Sequence, residues 1–150
     1  MTDYEAIKTL MPELVPFVKT LRLEYLEVTD GRAVLRLSDD AAFHNHVGGP
    51  HAGAIFTLAE SASGAVVIAS FEDLLATVTP LAATATIAYT RLQKGPVTAE
   101  ATLGRPAAEV RAELDETGKT VQFPVEVVMR DAHDQETSRL TISWALRPNR

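Results

Sequence analysis

The residue of this sequence best suited to chemistry is Glu60, an acid in the middle of an apolar stretch. On a helix its face would be shared by uncharged residues, namely Phe56, Thr57, Ser63, Gly64 and Val67. A carboxylate in such surroundings is partly desolvated, so its pKa is expected to rise. A raised pKa suits a general base at neutral pH. The alternative is a glutamate on a solvated stripe, or one paired with an arginine.

A second feature is the glycine-rich segment that precedes this stretch, Gly48-Gly49-Pro50-His51-Ala52-Gly53. Free backbone N–H groups at a helix start, together with the helix dipole, attract negative charge. A thioester oxyanion is one candidate occupant, and a flexible turn is the alternative. Glycine inside a helix costs stability, so Gly53 predicts a close backbone approach.

Three of the four histidines, His44, His46 and His51, lie within eight residues of one another. Metal binding is one interpretation, but no Asp, Glu or Cys completes a recognisable ligand spacing. We therefore predict neither a metal nor a cofactor. Asn45 lies among these histidines, and it is expected either to donate a hydrogen bond into the same pocket or to form a turn.

Apolar spacing indicates which elements carry these residues. A helix is predicted over 3–18, weakened and split at Pro12 and Pro16. Two strands over 20–28 and 32–38 follow, joined by a hairpin at Thr29-Asp30-Gly31. After a loop, a helix over about 51–71 is apolar on almost every side, which is typical of a buried helix.

Period-two alternation then predicts four strands, over 81–90, 97–103, 121–129 and 140–146. The first is expected to present Leu81, Ala83, Ala85, Ile87 and Tyr89 on one apolar face. A short helix over 106–116, closed by Gly118, separates the second strand from the third. Pro124 removes a ladder donor, so the third strand is expected at a sheet edge or at a bulge.

This order of elements indicates one α+β domain over 1–150, in which an antiparallel sheet wraps a long central helix. The net charge is −6, with no cluster of basic residues, which argues against nucleic acid as the main partner. Without cysteine the chain has no thiolate metal site, and it is expected to be cytoplasmic. The acidic start is unlike a signal peptide, and Glu60 makes the apolar stretch a poor membrane span.

The pattern Asn45, His51-Ala52-Gly53 and Glu60 resembles the signature of PaaI-type hotdog thioesterases. The segment NHVGGPHAGAIFTLAESASG is also similar to the YiiD C-terminal-like branch of that superfamily. The resemblance covers most of the chain and implies a hotdog fold with an N-terminal helix and a short helical insert. It also implies hydrolysis of acyl-CoA thioesters.

The resemblance assigns roles to four residues. Glu60 would act as general base or nucleophile, and the Gly53 N–H would polarise the thioester carbonyl. Asn45 and His51 would hold the thioester and the helix start.

Three departures from the family pattern stand out. Ala52 replaces a glycine, and Ala82 stands where many relatives carry a water-orienting Ser or Thr, with Thr84 nearby but shifted. The segment 105–118 is longer than usual, so it is expected to reshape the entrance for CoA or the acyl group.

Two other functions stay open: an acyl-CoA binding domain without activity, and a hotdog enoyl-CoA hydratase that uses His51.

The length of the central helix also predicts assembly of the chain. Nine residues separate His51 from Glu60, which is about 13 Å along a helix. Two antiparallel central helices in a homodimer, or in a dimer of dimers, would bring Glu60 of one copy to the helix start of the other.

Overall fold

Six strands wrap one long helix in the computed structural model, which describes residues 1–150. The helices are α1 (Tyr4–Leu14), α2 (Pro16–Thr20), α3 (Ala52–Phe71) and α4 (Ala107–Thr117). The strands are β1 (Glu24–Thr29), β2 (Arg32–Leu37), β3 (Val78–Tyr89), β4 (Val97–Leu103), β5 (Val121–Arg130) and β6 (Glu136–Pro148). They form one antiparallel sheet in the order β1-β2-β4-β5-β6-β3. This is the predicted architecture.

The central helix α3 lies in the core and packs mainly against β2 and β4. By length and composition it would suffice to cross a membrane, but most of its apolar window is buried within the fold. Only one side of the helix is open, along residues spaced three or four apart. We call this side the open stripe of α3, and it comprises Gly53, Phe56, Thr57, Glu60 and Gly64.

The N-terminal helix divides at Pro16, one of the two prolines predicted to split it, and not at Pro12. Pro12 lies inside α1, and the break falls at Val15, which is extended because it precedes Pro16. Pro16 then occupies the first position of α2, where its missing N–H has no intrahelical role. Because α2 takes residues up to Thr20, the first strand begins at Glu24 rather than at residue 20.

Two glycines end their elements as predicted. Gly31 has a φ of +78° in the turn between β1 and β2. Gly118 has a φ of +61° and closes α4, donating its N–H to the carbonyl of Leu114.

The prediction for Pro124 is wrong, because β5 is an interior strand without a bulge at that residue. The ladder between β4 and β5 ends at the pair Leu103 and Val125. The carbonyl of Pro124 faces this end of β4 and accepts from the Gly104 N–H at 2.8 Å. The N and C=O of one strand residue point to the same side, so the missing N–H falls where the ladder with β4 has already ended.

The predicted face of β3 is correct only for Ala85, Ile87 and Tyr89, because the pairing with β6 shifts register between Ala82 and Thr84. The extra residue, Ala83, reverses the alternation. Ala82 lies opposite Trp144, whose indole N–H donates to Ser63 of α3 at 3.0 Å. Beyond the bulge, Ala85, Ile87 and Tyr89 continue on this helix-facing side, and Thr84 turns to the opposite face.

The sheet has two edge strands: the six-residue β1, against which α1 packs, and the free edge β3, which has 12 residues and pairs only with β6. Most of its side chains are exposed, including Leu81 at 40% and Tyr89 at 48%. A long edge strand with apolar residues exposed on both faces is expected to pair with another strand.

Candidate functional site

The loop before α3 is held together by Asn45. Its Oδ1 accepts from the backbone N–H of Val47 at 3.0 Å and of Gly49 at 3.2 Å. Its Nδ2 donates to the carbonyl of Pro50 at 3.4 Å. Asn45 therefore forms the turn that sets the start of α3, which is the structural role considered above. Contact of this residue with a thioester stays a prediction.

The start of α3 differs from the prediction in which backbone donor is free. The Gly53 N–H donates to Nδ1 of His51 at 2.9 Å, so the imidazole caps the helix. The N–H groups of Ala54 and Ile55 both donate to the carbonyl of His51. The Ala52 N–H has no acceptor in the chain, and Ala52 is exposed. The available backbone donor is therefore the Ala52 N–H. The Gly53 N–H, which was predicted to bind the oxyanion, is already engaged by His51.

A close backbone approach exists near this loop, but within the chain it occurs at Gly49. A Cβ at Gly49 would overlap the carbonyl oxygen of Gln93. A Cβ at Gly53 would meet Nδ1 of His51 at 3.1 Å. Gly53 thus makes room for the capping imidazole.

Glu60 lies half-buried on the open stripe, eight residues beyond Ala52. No arginine, lysine or hydrogen bond holds its carboxylate, and burial raises the pKa of the Glu60 carboxyl. Its backbone carbonyl accepts from the hydroxyl of Ser63 at 2.6 Å. The expectation of a partly desolvated, unpaired acid is confirmed.

The sequence analysis did not identify Tyr25 as a neighbour of this acid. Tyr25 is 7% exposed, on β1, and its hydroxyl has no hydrogen-bond partner in the chain. Burial, with the charge of Glu60 as a second cause, raises the pKa of Tyr25 to about 12. The alternating pattern of β1 indicates that Tyr25 faces inward, but it does not show that β1 packs beside this part of α3.

An open apolar groove of about 520 Å³ runs along the first turns of α3. Its walls include Phe17 and Leu21 from the N-terminal helices and Phe43 from the loop. Its floor includes Gly53 and Thr57 from the open stripe. The groove therefore begins at the first turn of α3, lined there by the neighbours of Ala52 in the chain, and is suited to an apolar ligand.

The three clustered histidines have separate environments. Nε2 of His44 lies 2.7 Å from Oδ1 of Asp39, and His46 is exposed. His51 accepts a hydrogen bond at Nδ1, so in its neutral form it carries its proton on Nε2. No group of three or more His, Asp or Glu side chains is arranged to hold a metal ion.

The positions of Ala82 and of the helical insert both bear on the site. Ala82 faces α3 without a hydroxyl, and the bulge turns Thr84 away, so Thr84 does not replace it.

In the insert, Arg111 donates to the Ser70 carbonyl and to Asp73 at the C-terminal end of α3. Within one chain the insert therefore lies at the opposite end of α3 from Ala52, and its effect on an entrance for CoA or the acyl group stays a prediction.

The acid and the free donor lie on one surface but do not meet within the chain. Eight residues of helix separate Glu60 from Ala52, or about 12 Å, which exceeds the reach of a glutamate side chain. The free edge of β3 borders the same surface, since the hydroxyl of Tyr89 donates to the Ala52 carbonyl at 3.0 Å. Within one chain, therefore, Glu60 and the Ala52 N–H cannot act on the same thioester.

A family model described as a domain of unknown function, DUF4442, matches residues 4–146. The chain belongs to family DUF4442. No curated protein sequence matches this DUF4442 chain at a significant level.

Solved structures resemble the DUF4442 chain over nearly its whole length. A Pseudomonas aeruginosa protein of unknown function, described as a probable thioesterase, is 28% identical, with a TM-score of 0.88 over 99% of this chain and 97% of that one. The PaaI protein of the phenylacetic acid degradation operon of E. coli is 16% identical, with a TM-score of 0.74 over 96% and 92%. A thioesterase family protein from Silicibacter pomeroyi is 16% identical, with a TM-score of 0.77 over 98% and 100%. The fold is the hotdog fold, as the resemblance predicted.

The raised pKa of Glu60 predicts how the stability of this DUF4442 chain depends on pH. Because the folded state binds the Glu60 proton more tightly than the unfolded state, this residue favours folding below its unfolded pKa of about 4.3. That contribution is lost as the pH rises through the folded pKa. Glu60→Gln should therefore raise the free energy of unfolding at pH 7, with little effect near pH 4, as measured by urea denaturation.

The matched control for this measurement is Glu116→Gln, on an exposed part of α4. This variant should behave as wild type at both pH values. Equal stabilisation by both substitutions, or none by Glu60→Gln, would contradict the proposed burial effect.

Proposed function

We propose that this DUF4442 chain is an acyl-CoA thioesterase. The observation that carries the proposal is an unpaired, half-buried carboxylate, Glu60, on the same open surface as the free N–H of Ala52. Thioester hydrolysis needs one group to activate or replace water and one to stabilise the oxyanion. The hotdog fold and the 28% identical probable thioesterase support this assignment.

In the proposed reaction the thioester carbonyl oxygen accepts a hydrogen bond from the Ala52 N–H. Glu60 takes a proton from water as the water oxygen bonds to the carbonyl carbon. The tetrahedral intermediate then collapses, the C–S bond breaks, and the leaving CoA sulfur takes the proton from Glu60. In the nucleophilic alternative Glu60 attacks the carbonyl carbon, the C–S bond breaks, and CoA leaves as its thiolate. Water then hydrolyses the resulting anhydride, which restores the Glu60 carboxylate and releases the acid, and the proton set free in this step goes to the thiolate.

We further propose that each site is shared between two copies of the chain. Pairing of the two β3 edges about a two-fold axis would continue the sheet and bring the open stripes together antiparallel. Gly64 would permit close approach of the helices. Glu60 of one copy would then face Ala52 of the other, which removes the 12 Å gap within one chain.

Tyr25 is proposed to help position the attacking water. Its hydroxyl lies near Glu60 without a partner, and the helix-facing position on β3 is occupied by Ala82, which has no hydroxyl. A neutral tyrosine at pH 7 can donate to a water or to the carboxylate.

A non-catalytic acyl-CoA binding domain is the second candidate, and the missing hydroxyl at Ala82 favours it. The hydratase alternative is less consistent with the geometry. Nδ1 of His51 accepts the Gly53 N–H and is therefore not free to act as a base. Thiol release from a panel of acyl-CoAs separates hydrolysis from binding alone, and loss of ultraviolet absorbance of an enoyl-CoA detects hydration.

Replacement of the acid tests the chemical step. Glu60→Ala should lower kcat by ~10²–10⁴-fold, which is the usual loss when a general base is removed. Free-thiol detection measures the rate, with Glu116→Ala as the exposed control. A folded Glu60→Ala protein that keeps wild-type kcat would exclude this residue from the reaction.

A proline tests the backbone donor with little disturbance of the helix. Ala52 is the first residue of α3, where proline is tolerated, and His51 before it is already extended at φ −61° and ψ 141°. Ala52→Pro should therefore remove only the free N–H and lower kcat by roughly 10²–10³-fold.

The matched control is Ala107→Pro at the first residue of α4, which should leave kcat unchanged. Circular dichroism should show wild-type folding for both variants. If both proline variants retain full kcat, the Ala52 N–H takes no part in oxyanion stabilisation.

Mixing two inactive variants tests the shared site. In a mixed dimer of Glu60→Ala and Ala52→Pro chains, one site carries both lesions and the other carries none. Random exchange of equal amounts should restore about a quarter of wild-type activity, because about half of the dimers are mixed, each with one intact site. Exchange verified by differently tagged chains, with no recovery of activity, would place each site within one chain.

A further inference from the structure

The cations of this acidic chain are distributed unevenly with respect to carboxylates. Nine of the fourteen Lys and Arg side chains form ion pairs with Asp or Glu. The other five have no carboxylate within ion-pair distance and no side-chain hydrogen bond, and they are Arg91, Lys94, Lys119, Arg147 and Arg150. All five lie at the two ends of the free edge strand β3.

Three of these cations line one cleft, at the end of the sheet where β3 begins. The cleft has a volume of about 730 Å³ and is lined by Lys119, Arg147 and Arg150, with no Asp or Glu side chain. Arg147 lies on β6 directly opposite Thr79 of β3. A concave site of this size fits a small molecule, and three unpaired cations select an anionic one.

The remaining two cations follow the other end of β3. Arg91 comes two residues after the end of the strand and Lys94 five residues after it. The neighbouring carboxylate of Glu136 is bound by Arg139. This end also holds the start of α3, since Tyr89 donates to the Ala52 carbonyl. Within one chain the two groups of cations lie roughly 36 Å apart, the length of the strand.

Antiparallel pairing of two β3 strands places the start of one strand beside the end of the other. If the two-fold axis passes near the middle of β3, Arg147 of one copy lies two strand spacings, about 10 Å, from the end of β3 in the second copy. The two groups of unpaired cations then flank the second copy's free Ala52 N–H. All five would converge beside one thioester site.

We propose that these five cations form one site, shared between two copies, for the 3′-phosphate and diphosphate of CoA. This inference rests on the proposed thioesterase function and names the part of the substrate that the catalytic surface leaves unbound. Arginine and lysine bind phosphate oxygens through charge-assisted hydrogen bonds. In this acidic protein most cations are paired with carboxylates. Only the cations without a carboxylate partner are available to bind phosphate. A concave cleft favours a small nucleotide over the surface of a carrier protein.

The test compares an acyl-CoA with the same acyl group on pantetheine, which lacks all three phosphates. Arg147→Glu should raise KM for the acyl-CoA roughly tenfold or more, the effect of losing one charged hydrogen bond. The KM for acyl-pantetheine and both kcat values should stay unchanged. Arg91→Glu should have the same effect, although it lies at the far end of the strand. The control is Lys8→Glu, which makes the same charge change on α1.

Several outcomes overturn the inference. An equal change in KM for both thioesters, or no change for either, excludes phosphate binding by these residues. An effect of Arg147→Glu without one of Arg91→Glu excludes a shared site. If the substitutions change KM only for thioesters of an acyl carrier protein, the ligand of these cations is the carrier protein and not CoA.

A direct binding measurement separates this inference from the thioesterase proposal. If the wild type hydrolyses no thioester, calorimetry with CoA and with pantetheine still tests the anion site. Binding of CoA that Arg147→Glu and Arg91→Glu both weaken supports the site, and the failed hydrolysis then concerns the chemistry alone. Absence of CoA binding overturns the site itself.

Discussion

The burial of α3 against the sheet is the constraint on which the rest of the structure depends. A helix that is apolar almost all round must be covered on nearly every side, and the curved sheet with the N-terminal helices covers all but one stripe. Of the two groups with chemical potential, Glu60 lies on that stripe and the free Ala52 N–H lies where the stripe begins. The packing that stabilises the domain therefore also defines where its chemistry can occur.

The same packing accounts for the properties of the acid. Burial at the border between core and solvent raises the pKa of the Glu60 carboxyl, and no cation offsets that effect. Tyr25, a buried residue of β1, contributes a hydroxyl near the same border. At the helix start, by contrast, nearly all backbone N–H groups are engaged. Asn45 accepts a hydrogen bond from the Gly49 N–H, and His51 accepts one from the Gly53 N–H. One N–H remains, and its isolation makes it a specific donor.

The open surface of α3 and the free edge of β3 are adjacent, so a single association event would cover both. Covering the stripe would desolvate Glu60 further and would protect an edge strand that is otherwise prone to unspecific pairing. In the proposed dimer, catalysis and assembly would both depend on this one surface. The unpaired cations at the two ends of β3 follow the same logic, because antiparallel pairing is what would bring them together.

The sequence by itself determined the elements, the antiparallel α+β architecture, the buried central helix and the position of an acid, Glu60, among its apolar residues. These follow from periodicity and from the cost of a charge among apolar residues, which are local properties. Tertiary structure alone decided which backbone donor is free, because the His51 imidazole folds back onto the Gly53 N–H. It also placed Pro124 beyond the end of the ladder with β4, where its missing N–H removes no hydrogen bond. The bulge at Ala83, which turns Thr84 away from α3, is likewise a property of the tertiary structure. Such outcomes depend on where strands end and how they register against one another, and a single sequence does not encode that in any local pattern.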